Sequence, residues 1–178
     1  MIYIISGTDR LGSNSLILSK QLLQLYTLHN VTAEIIDLQS LPLQQLHGLS
    51  YNQDKIPENL KPVFDKIAKA KAFHIVCPEY NGSYPGILKL FMDYWQFPAS
   101  LEGKLVAFVG LGGQFAGLRP VEHLTQVFLY RNSMIYPEKV FFFNVWNMIK
   151  DGALVDKSML DRLQKQVEGF SKFIKLHV

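Results

Sequence analysis

The sequence predicts an α/β domain in which a five-stranded parallel sheet is covered by helices on both faces. Short apolar segments alternate with helical segments along the whole chain. Parallel strands need crossover connections, and these are almost always right-handed, so the alternation places helices on both sides of one sheet. The 178 residues, 48% of them apolar, support one substantial core but not two ordinary domains. We therefore predict a single domain over residues 1–178.

The five predicted strands are short and mostly apolar. They cover residues 2–5, 31–38, 73–77, 104–111 and 139–145. Consecutive apolar positions are typical of strands that are buried on both faces.

The predicted helices follow these strands in turn. They cover residues 15–29, 57–68, 85–97 and 118–131, and a last helix begins near residue 156. Ser13 or Asn14 is available as N-cap of the first helix, and Asp156 as N-cap of the last. Pro57 fits the N1 position of the second helix, and Pro62 divides that helix near its start. The polar segment 41–55 shows no clear period and is predicted to be a loop.

Apolar residues surround most of the circumference of the helix predicted over 85–97. They are Ile87, Leu88, Leu90, Phe91, Met92, Tyr94 and Trp95. Such a helix needs cover on two sides, of which the sheet supplies one. A partner subunit, a cofactor or a loop supplies the other. We favour a partner subunit, and therefore predict a homodimer or a tetramer.

The composition argues against nucleic-acid, membrane and metal partners. The formal charge of +3 arises from basic and acidic residues that are spread without runs, although small anionic ligands fit this charge. No apolar stretch approaches the roughly 20 residues needed to cross a bilayer, and the amino terminus lacks signal-peptide features. The single cysteine cannot form an internal disulfide, and the histidines lack metal-ligand spacing. We expect a cytoplasmic protein without a structural metal.

The loop after the first strand, GTDRLGSNS over residues 7–15, has the donors of a phosphate site. Hydroxyls, an amide, a cation at Arg10 and free backbone N–H groups precede a helix amino terminus, which favours anions. The alternative is an ordinary capped turn with solvated polar residues. The loop lacks the GxxxxGK[ST] pattern, which argues against a nucleotide bound as in P-loop enzymes.

The loop after the third strand, CPEYNGSYPG over residues 77–86, suits a flat aromatic ligand. Gly82 and Pro85 permit a tight turn whose backbone groups can meet the polar edge of a ring, and Tyr80 offers a stacking surface. The alternative is a rigid surface turn. A phosphatase loop would need arginine where Ser83 stands, so Cys77 is interpreted as a small core residue.

The loop after the fourth strand, GLGGQFAGLR over residues 110–119, allows close approach of a ligand to the backbone. It is not a dinucleotide-binding fingerprint, because Phe115 stands where the third glycine belongs. Arg119 either meets a nicotinamide phosphate or is solvated. In open α/β sheets, ligands bind beyond the carboxyl ends of the strands, where all three loops lie.

Taken in order, these three motifs resemble the NADPH-dependent FMN reductase family, which includes flavin, quinone, azo and chromate reductases of flavodoxin-like fold. The resemblance covers nearly the whole chain, and PEYNGSYPGILK is its most specific part. It implies a doubly wound sheet of strand order 2-1-3-4-5. It also implies that FMN carries the chemistry, with NADPH or NADH as electron donor and no catalytic side chain or metal.

The resemblance further assigns cofactor-binding residues. Those implied for the FMN phosphate are Thr8, Arg10, Ser13, Asn14 and Ser15; those for the isoalloxazine ring are Pro78, Glu79, Tyr80, Asn81 and Gly82; Gly112, Gly113 and Gln114 flank the flavin. Family members often carry a second glycine pair where this chain has Ala116 and Gly117. This departure concerns the nicotinamide geometry more than FMN binding.

The implied reaction is a two-step exchange in which the nicotinamide reduces the flavin and leaves before a small acceptor takes its place. Quinones, flavins, azo compounds and metal oxyanions are all suitable acceptors. One rival is a flavodoxin-type electron carrier without nicotinamide turnover, although such carriers are typically acidic and this chain is weakly basic. Another is a flavin-binding interaction protein with little catalysis.

Overall fold

A parallel sheet with helices on both faces forms the body of the protein in the computed structural model, which describes residues 1–49 and 53–177. The strands of this sheet are β1 (Ile2–Ser6), β2 (Ala33–Asp37), β3 (Ala72–Pro78), β4 (Leu105–Gly112), β5 (Met134–Ile135) and β6 (Val140–Phe143). The helices are α1 (Asn14–Leu28), α2 (Lys61–Lys69), α3 (Gly86–Asp93), α4 (Leu118–Leu129) and α5 (Lys157–His177). No helix in these two described ranges is long and apolar enough to span a bilayer.

The strand order is β2-β1-β3-β4-β5, and every pairing in this sheet is parallel. The predicted order 2-1-3-4-5 is therefore confirmed. Side chains of successive strand residues point to opposite faces, so Ile2 and Ile4 join one core layer while Tyr3 and Ile5 join the other. The first layer packs under α1 and α5, and the second under α2, α3 and α4.

The edge strand beside β4 is divided, which the sequence analysis did not foresee. β5 pairs with Leu105 and Val106, whereas β6 pairs further along, with Val109 to Gly112. Pro137 stands between the two segments and has no N–H to donate to the ladder, so pairing stops there. The strand predicted over 139–145 is therefore the shorter β6.

A small antiparallel hairpin precedes α5 and was also missed. β7 (Ile149–Lys150) pairs with β8 (Ala153–Leu154) through Asp151 and Gly152, both at positive φ. Asp-Gly between short extended segments is a known signal for such a turn, so the sequence did contain the information.

Two predicted helices are shorter than expected. The placement of Pro57 at N1 is wrong: residues 57–60 form a turn, and α2 begins at Lys61 with Pro62 in its first turn, where no N–H donor is needed. Helix α3 ends at Asp93, although Tyr94 and Trp95 beyond it remain buried. Asp156 is the N-cap of α5, as predicted, because its Oδ1 accepts a hydrogen bond from Met159 N at 2.9 Å.

The second side of α3 is covered by the chain itself. A 3₁₀ turn, Leu43–Leu46, lies against α3 within the segment predicted as loop, and the Tyr94 hydroxyl donates a hydrogen bond to the Leu46 carbonyl. A second 3₁₀ turn, Gln53–Lys55, ends that segment, of which residues 50–52 lie outside the described residues. A loop thus provides cover that the sequence analysis assigned to a partner.

A buried polar network joins β3 to the helices α1 and α5. The fully buried His74 places Nδ1 2.8 Å from the Tyr26 hydroxyl and Nε2 3.2 Å from Gln166 Oε1. Because the Gln166 amide nitrogen donates to the carbonyls of Phe108 and Glu138, its oxygen must accept, and His74 carries its proton on Nε2. The imidazole is therefore neutral and fully bonded.

Acid should destabilise the fold through this histidine. Burial lowers the pKa of His74 from 6.5 to about 3, against the opposing effect of the Gln166 hydrogen bond. The unfolded chain then binds one proton more than the folded chain between these values, so the free energy of unfolding should fall as pH falls, by up to about 1.4 kcal/mol per pH unit. Urea unfolding from pH 7 to pH 4 should show a shallower slope for His74→Asn than for wild type. The same change at exposed His47 is the control, and equal slopes for His74→Asn and wild type would contradict the assignment.

Candidate cofactor site

The three loops singled out in the sequence meet in one cleft at the carboxyl edge of β1, β3 and β4. The cleft encloses about 150 Å³. Its lining residues are Thr8, Arg10, Ser13, Asn14, Ser15, Pro78, Glu79, Tyr80, Leu111, Gly112, Gly113, Val145 and Trp146. All of the predicted site residues are among them except Asn81, Gly82 and Gln114.

The opening loop directs the amino terminus of α1 at the cleft. Ser13 is the N-cap, with an extended backbone at φ −68° and ψ 141°, and its Oγ accepts a hydrogen bond from Leu16 N at 3.2 Å. The first N–H groups of a helix have no acceptor within the helix, so those of Asn14 and Ser15 are available to a ligand. Arg10 stays exposed at the rim.

Ser15, which lines this cleft, has a buried hydroxyl that makes no hydrogen bond to the described residues. Its side chain is 1% exposed, and its Oγ has no hydrogen-bond partner among the residues that the structure describes. A buried hydroxyl without a partner costs about 1–3 kcal/mol. An anionic oxygen at the amino terminus of α1 would accept from this hydroxyl, so the residues present fit a phosphate.

The Tyr80 segment is a tight turn that places its tyrosine over the opening loop. Tyr80 N donates to Ser83 O at 2.8 Å, and Ser83 N donates back at 3.1 Å. Asn81 and Gly82 stand between them at φ 49° and 77°, the two positive values that a type I′ turn requires. The Tyr80 hydroxyl lies 2.8 Å from Thr8 Oγ1. Asn81 and Gly82 therefore shape the turn instead of lining the cleft.

Glu79 connects this segment to the third loop. Its backbone N–H donates to Leu111 O at 2.9 Å, and its Oε2 accepts from Gly117 N at 3.2 Å. Gly112 faces the same side chain so closely that an added Cβ would lie 3.2 Å from the Glu79 Cβ. The carboxylate is thus held by the protein at the wall of the cleft.

Val145 and Trp146 complete the cleft and were missed by the sequence analysis. They follow β6, which pairs with the part of β4 that leads into the third loop. The predicted strand order places the end of the last strand beside β4, so this order could have drawn attention to them. Gln114, in contrast, is exposed and lies outside the cleft.

The structure shows what surrounds Cys77 and Arg119. Cys77 is fully buried, and burial, with the nearby Glu79 charge, raises the pKa of its thiol well above the usual value. A protonated buried thiol is a core residue and not a nucleophile. Arg119 lies over the Phe115 ring, with 4.7 Å from its Cζ to the ring centroid, and beside Gly82.

A family model described as NADPH-dependent FMN reductase matches residues 1–147 of the chain. The chain belongs to this family. The predicted recognition is therefore confirmed, and with it the association with FMN and NADPH that the family's description states.

Individual relatives agree with this assignment. An FMN-dependent NADPH-azoreductase of Staphylococcus aureus is 34% identical in an alignment of 128 residues that covers 68% of this chain and 65% of that protein. The chain thus aligns with just under two thirds of the length of this curated relative.

Two solved structures share the fold across nearly the whole chain. FerB, a flavoenzyme NAD(P)H:(acceptor) oxidoreductase from Paracoccus denitrificans, has a TM-score of 0.77 at 24% identity and covers 99% of this chain and 97% of its own. The apo form of the NADH:FMN oxidoreductase EMOB has a TM-score of 0.76 at 20% identity, covering 97% and 88%. At these identities the likeness concerns the fold alone.

The departure of this FMN reductase family member at Ala116 has a structural consequence. Ala116 adopts φ 53° and Gly117 φ 81°, so both residues of the position expected to hold a glycine pair are left-handed. A Cβ on Gly117 would lie 2.3 Å from Leu111 N. Relief of this clash would require the β4 backbone to move. The methyl group of Ala116 has room, but the left-handed backbone conformation is strained for any residue with a Cβ.

Ala116→Gly and Gly117→Ala should change the free energy of unfolding in opposite directions. Ala116→Gly should raise the free energy of unfolding by roughly 0.5–1 kcal/mol, because relief of left-handed strain exceeds the added entropy of the unfolded chain. Gly117→Ala should lower it by more than about 2 kcal/mol, because the new methyl group meets the β4 backbone. Denaturant unfolding of both variants measures this, and a destabilised Ala116→Gly beside a neutral Gly117→Ala would contradict it.

Proposed function

We propose that the protein is an FMN-containing oxidoreductase that takes electrons from NADPH or NADH and passes them to a small acceptor. The FMN phosphate is held by the opening loop, through Thr8, Arg10, Ser13, Asn14 and Ser15. The ring lies along Pro78, Glu79 and Tyr80 with Gly112 and Gly113 alongside, and it extends beyond the cleft to the Asn81–Gly82 turn and to Gln114. FMN, when bound, supplies the capacity to accept a hydride and to deliver two electrons.

The unpartnered Ser15 hydroxyl carries this proposal. Ser15 lines the cleft in the first turn of α1, where the backbone N–H groups have no acceptor within the helix. The combination of a buried donor with a helix amino terminus favours a phosphate over a neutral group. A flat ring extending from that phosphate would reach the segment that Thr8 and Tyr80 hold together.

The chain's own residues bind, orient and exclude water in this proposal. The Thr8–Tyr80 bond fixes the tyrosine next to the opening loop, and Glu79 fixes the third loop through Gly117 N. The central N–H groups of a type I′ turn make no hydrogen bond within the turn, so those of Asn81 and Gly82 can stabilise negative charge on a ring edge. Cys77 contributes packing only.

The acceptor proposed is a small molecule: a quinone, a flavin, an azo compound or a metal oxyanion. The azoreductase activity named for the Staphylococcus aureus relative supports an acceptor of this class. A flavodoxin-type carrier or a flavin-binding interaction protein is the alternative. Turnover of NADPH or NADH with a quinone would separate the enzyme from both alternatives, because neither oxidises the nicotinamide at an enzymatic rate.

We also propose that the protein is a cytoplasmic homodimer. Phe97, Leu129 and Tyr130 are 60%, 53% and 73% exposed at the ends of α3 and α4. Phe97 and Tyr130 border a depression of about 460 Å³, and the Arg131 guanidinium lies over both rings, 3.8 Å and 4.3 Å from their centroids. Clustered exposed aromatic residues with an arginine are typical of protein interfaces.

The phosphate site is tested by a change that separates binding from folding. Asn14→Asp replaces an amide by a carboxylate of the same shape in the first turn of α1. A negative charge there should stabilise the helix by about 0.3–1 kcal/mol, yet it should weaken FMN binding at least about tenfold by repelling the phosphate. Fluorescence titration with FMN and thermal unfolding measure the two effects.

Riboflavin, which lacks the phosphate, is the control ligand for this variant. Its affinity should be the same for wild type and Asn14→Asp, because the added charge faces no anion. Equal FMN affinity in the two proteins would contradict the placement of the phosphate at α1.

The proposed interface is tested by a charge at its centre. Tyr130→Asp should convert the dimer to a monomer in light scattering coupled to size-exclusion chromatography, because a carboxylate would have to be desolvated in the interface. Leu176→Asp is the control, since Leu176 is 81% exposed on α5, which packs on the face of the sheet opposite to α3 and α4. A dimer that persists in Tyr130→Asp would exclude this surface.

A further inference from the structure

The turn after β6 holds a tryptophan at the cleft by fixed backbone contacts. Asn144 enters the turn at φ 48°, Asn147 N donates to Asn144 O at 2.9 Å, and Met148 N donates to Val145 O at 3.0 Å. Val145 is 3% exposed and packs into the core layer under α1 and α5. The backbone that carries Trp146 is therefore anchored on its inner side.

Trp146 itself projects outward against the third loop. Its side chain is 56% exposed, and a Cβ built on Gly113 would lie 3.3 Å from its Cη2. A single exposed aromatic residue is common on protein surfaces and does not by itself indicate a binding site. This one lines the same cleft as Ser15 and Tyr80, although it reaches the cleft from a different strand.

The opening loop makes one part of the cleft polar, and of the large apolar side chains that line the cleft Trp146 is more exposed than Tyr80, at 56% against 37%. The opening loop contributes Thr8, Ser13 and Ser15, and the tyrosine of the second loop is bonded to Thr8 through its hydroxyl. The Cη2 edge of the indole lies beside Gly113, and aromatic rings pair favourably in offset or edge-to-face geometry. Gly113 keeps the space next to the indole free of side-chain atoms.

We propose that Trp146 is a cofactor-positioning residue whose indole packs against FMN bound in the cleft. This inference rests on the proposed function, because it needs FMN in the cleft. It adds a contact from the β6 turn, which none of the three sequence motifs contains. A side chain that contacts the flavin directly should affect both the affinity for FMN and the emission of the indole.

The tryptophan content of the chain makes this contact measurable without turnover. The two tryptophans are Trp146 and the buried Trp95. Subtracting the tryptophan fluorescence of Trp146→Phe from that of wild type therefore gives the fluorescence of Trp146 as a difference emission. Saturating FMN should abolish this difference emission, because a ring in contact quenches the indole completely, whereas Trp95 in Trp146→Phe should keep part of its emission.

Affinity gives the second measurement. Trp146→Ala should weaken FMN binding about tenfold, and Trp146→Phe, which keeps a ring, about threefold or less. Phe143→Ala is the matched control, because Phe143 is 51% exposed on the preceding strand but does not line the cleft. Its FMN affinity should equal that of wild type.

The outcomes separate this inference from the proposed function. FMN binding by wild type together with unchanged affinity in Trp146→Ala and persistent difference emission would overturn the role of Trp146 alone. Loss of the oligomer in Trp146→Ala with unchanged FMN affinity would assign the indole to a subunit interface and overturn it too. Failure of wild type to bind FMN would overturn both proposals.

Discussion

The site depends on β3, because the loop that follows this strand is tied to the loops on both sides. Tyr80 is bonded to Thr8 of the opening loop, and Glu79 is bonded to Gly117 of the third loop. The pairing of β3 with β1 and β4 brings the three loops to one edge of the sheet. Loss of either hydrogen bond would leave the strands in place, but one loop would no longer be held at the cleft. The geometry of the site therefore depends on these two hydrogen bonds.

Much of the fold could be predicted because its signals are local. Consecutive apolar residues marked β1, β3 and β4, and Ser13 and Asp156 marked helix starts that the structure confirms. The strand order followed from the family resemblance and is also confirmed. The late start of α2 was missed because Pro57 and Pro62 both suit a first helical turn, whereas residues 57–60 form a turn in which Leu60 N and Lys61 N donate to Pro57 O.

The residues that the three loops contribute to the site could largely be predicted from the sequence, whereas the contribution of the β6 turn could not. Motifs identified Thr8, Arg10, Ser13 to Ser15 and Pro78 to Tyr80, because ligand-binding chemistry needs those residue types close together in the sequence. Trp146 reaches the cleft through the pairing of β6 with β4, a contact between residues far apart in the chain, and no local pattern encodes it. Likewise the isolation of the Ser15 hydroxyl depends on what surrounds it, which the residue type alone does not reveal.

A crystal structure of the protein grown with FMN would show where the cofactor lies. We expect the phosphate at the amino terminus of α1, with an oxygen within hydrogen-bond distance of Ser15 Oγ, and the ring between Tyr80 and Trp146. FMN bound with its phosphate away from α1, or crystals grown in excess FMN in which the cleft holds no cofactor, would contradict this expectation.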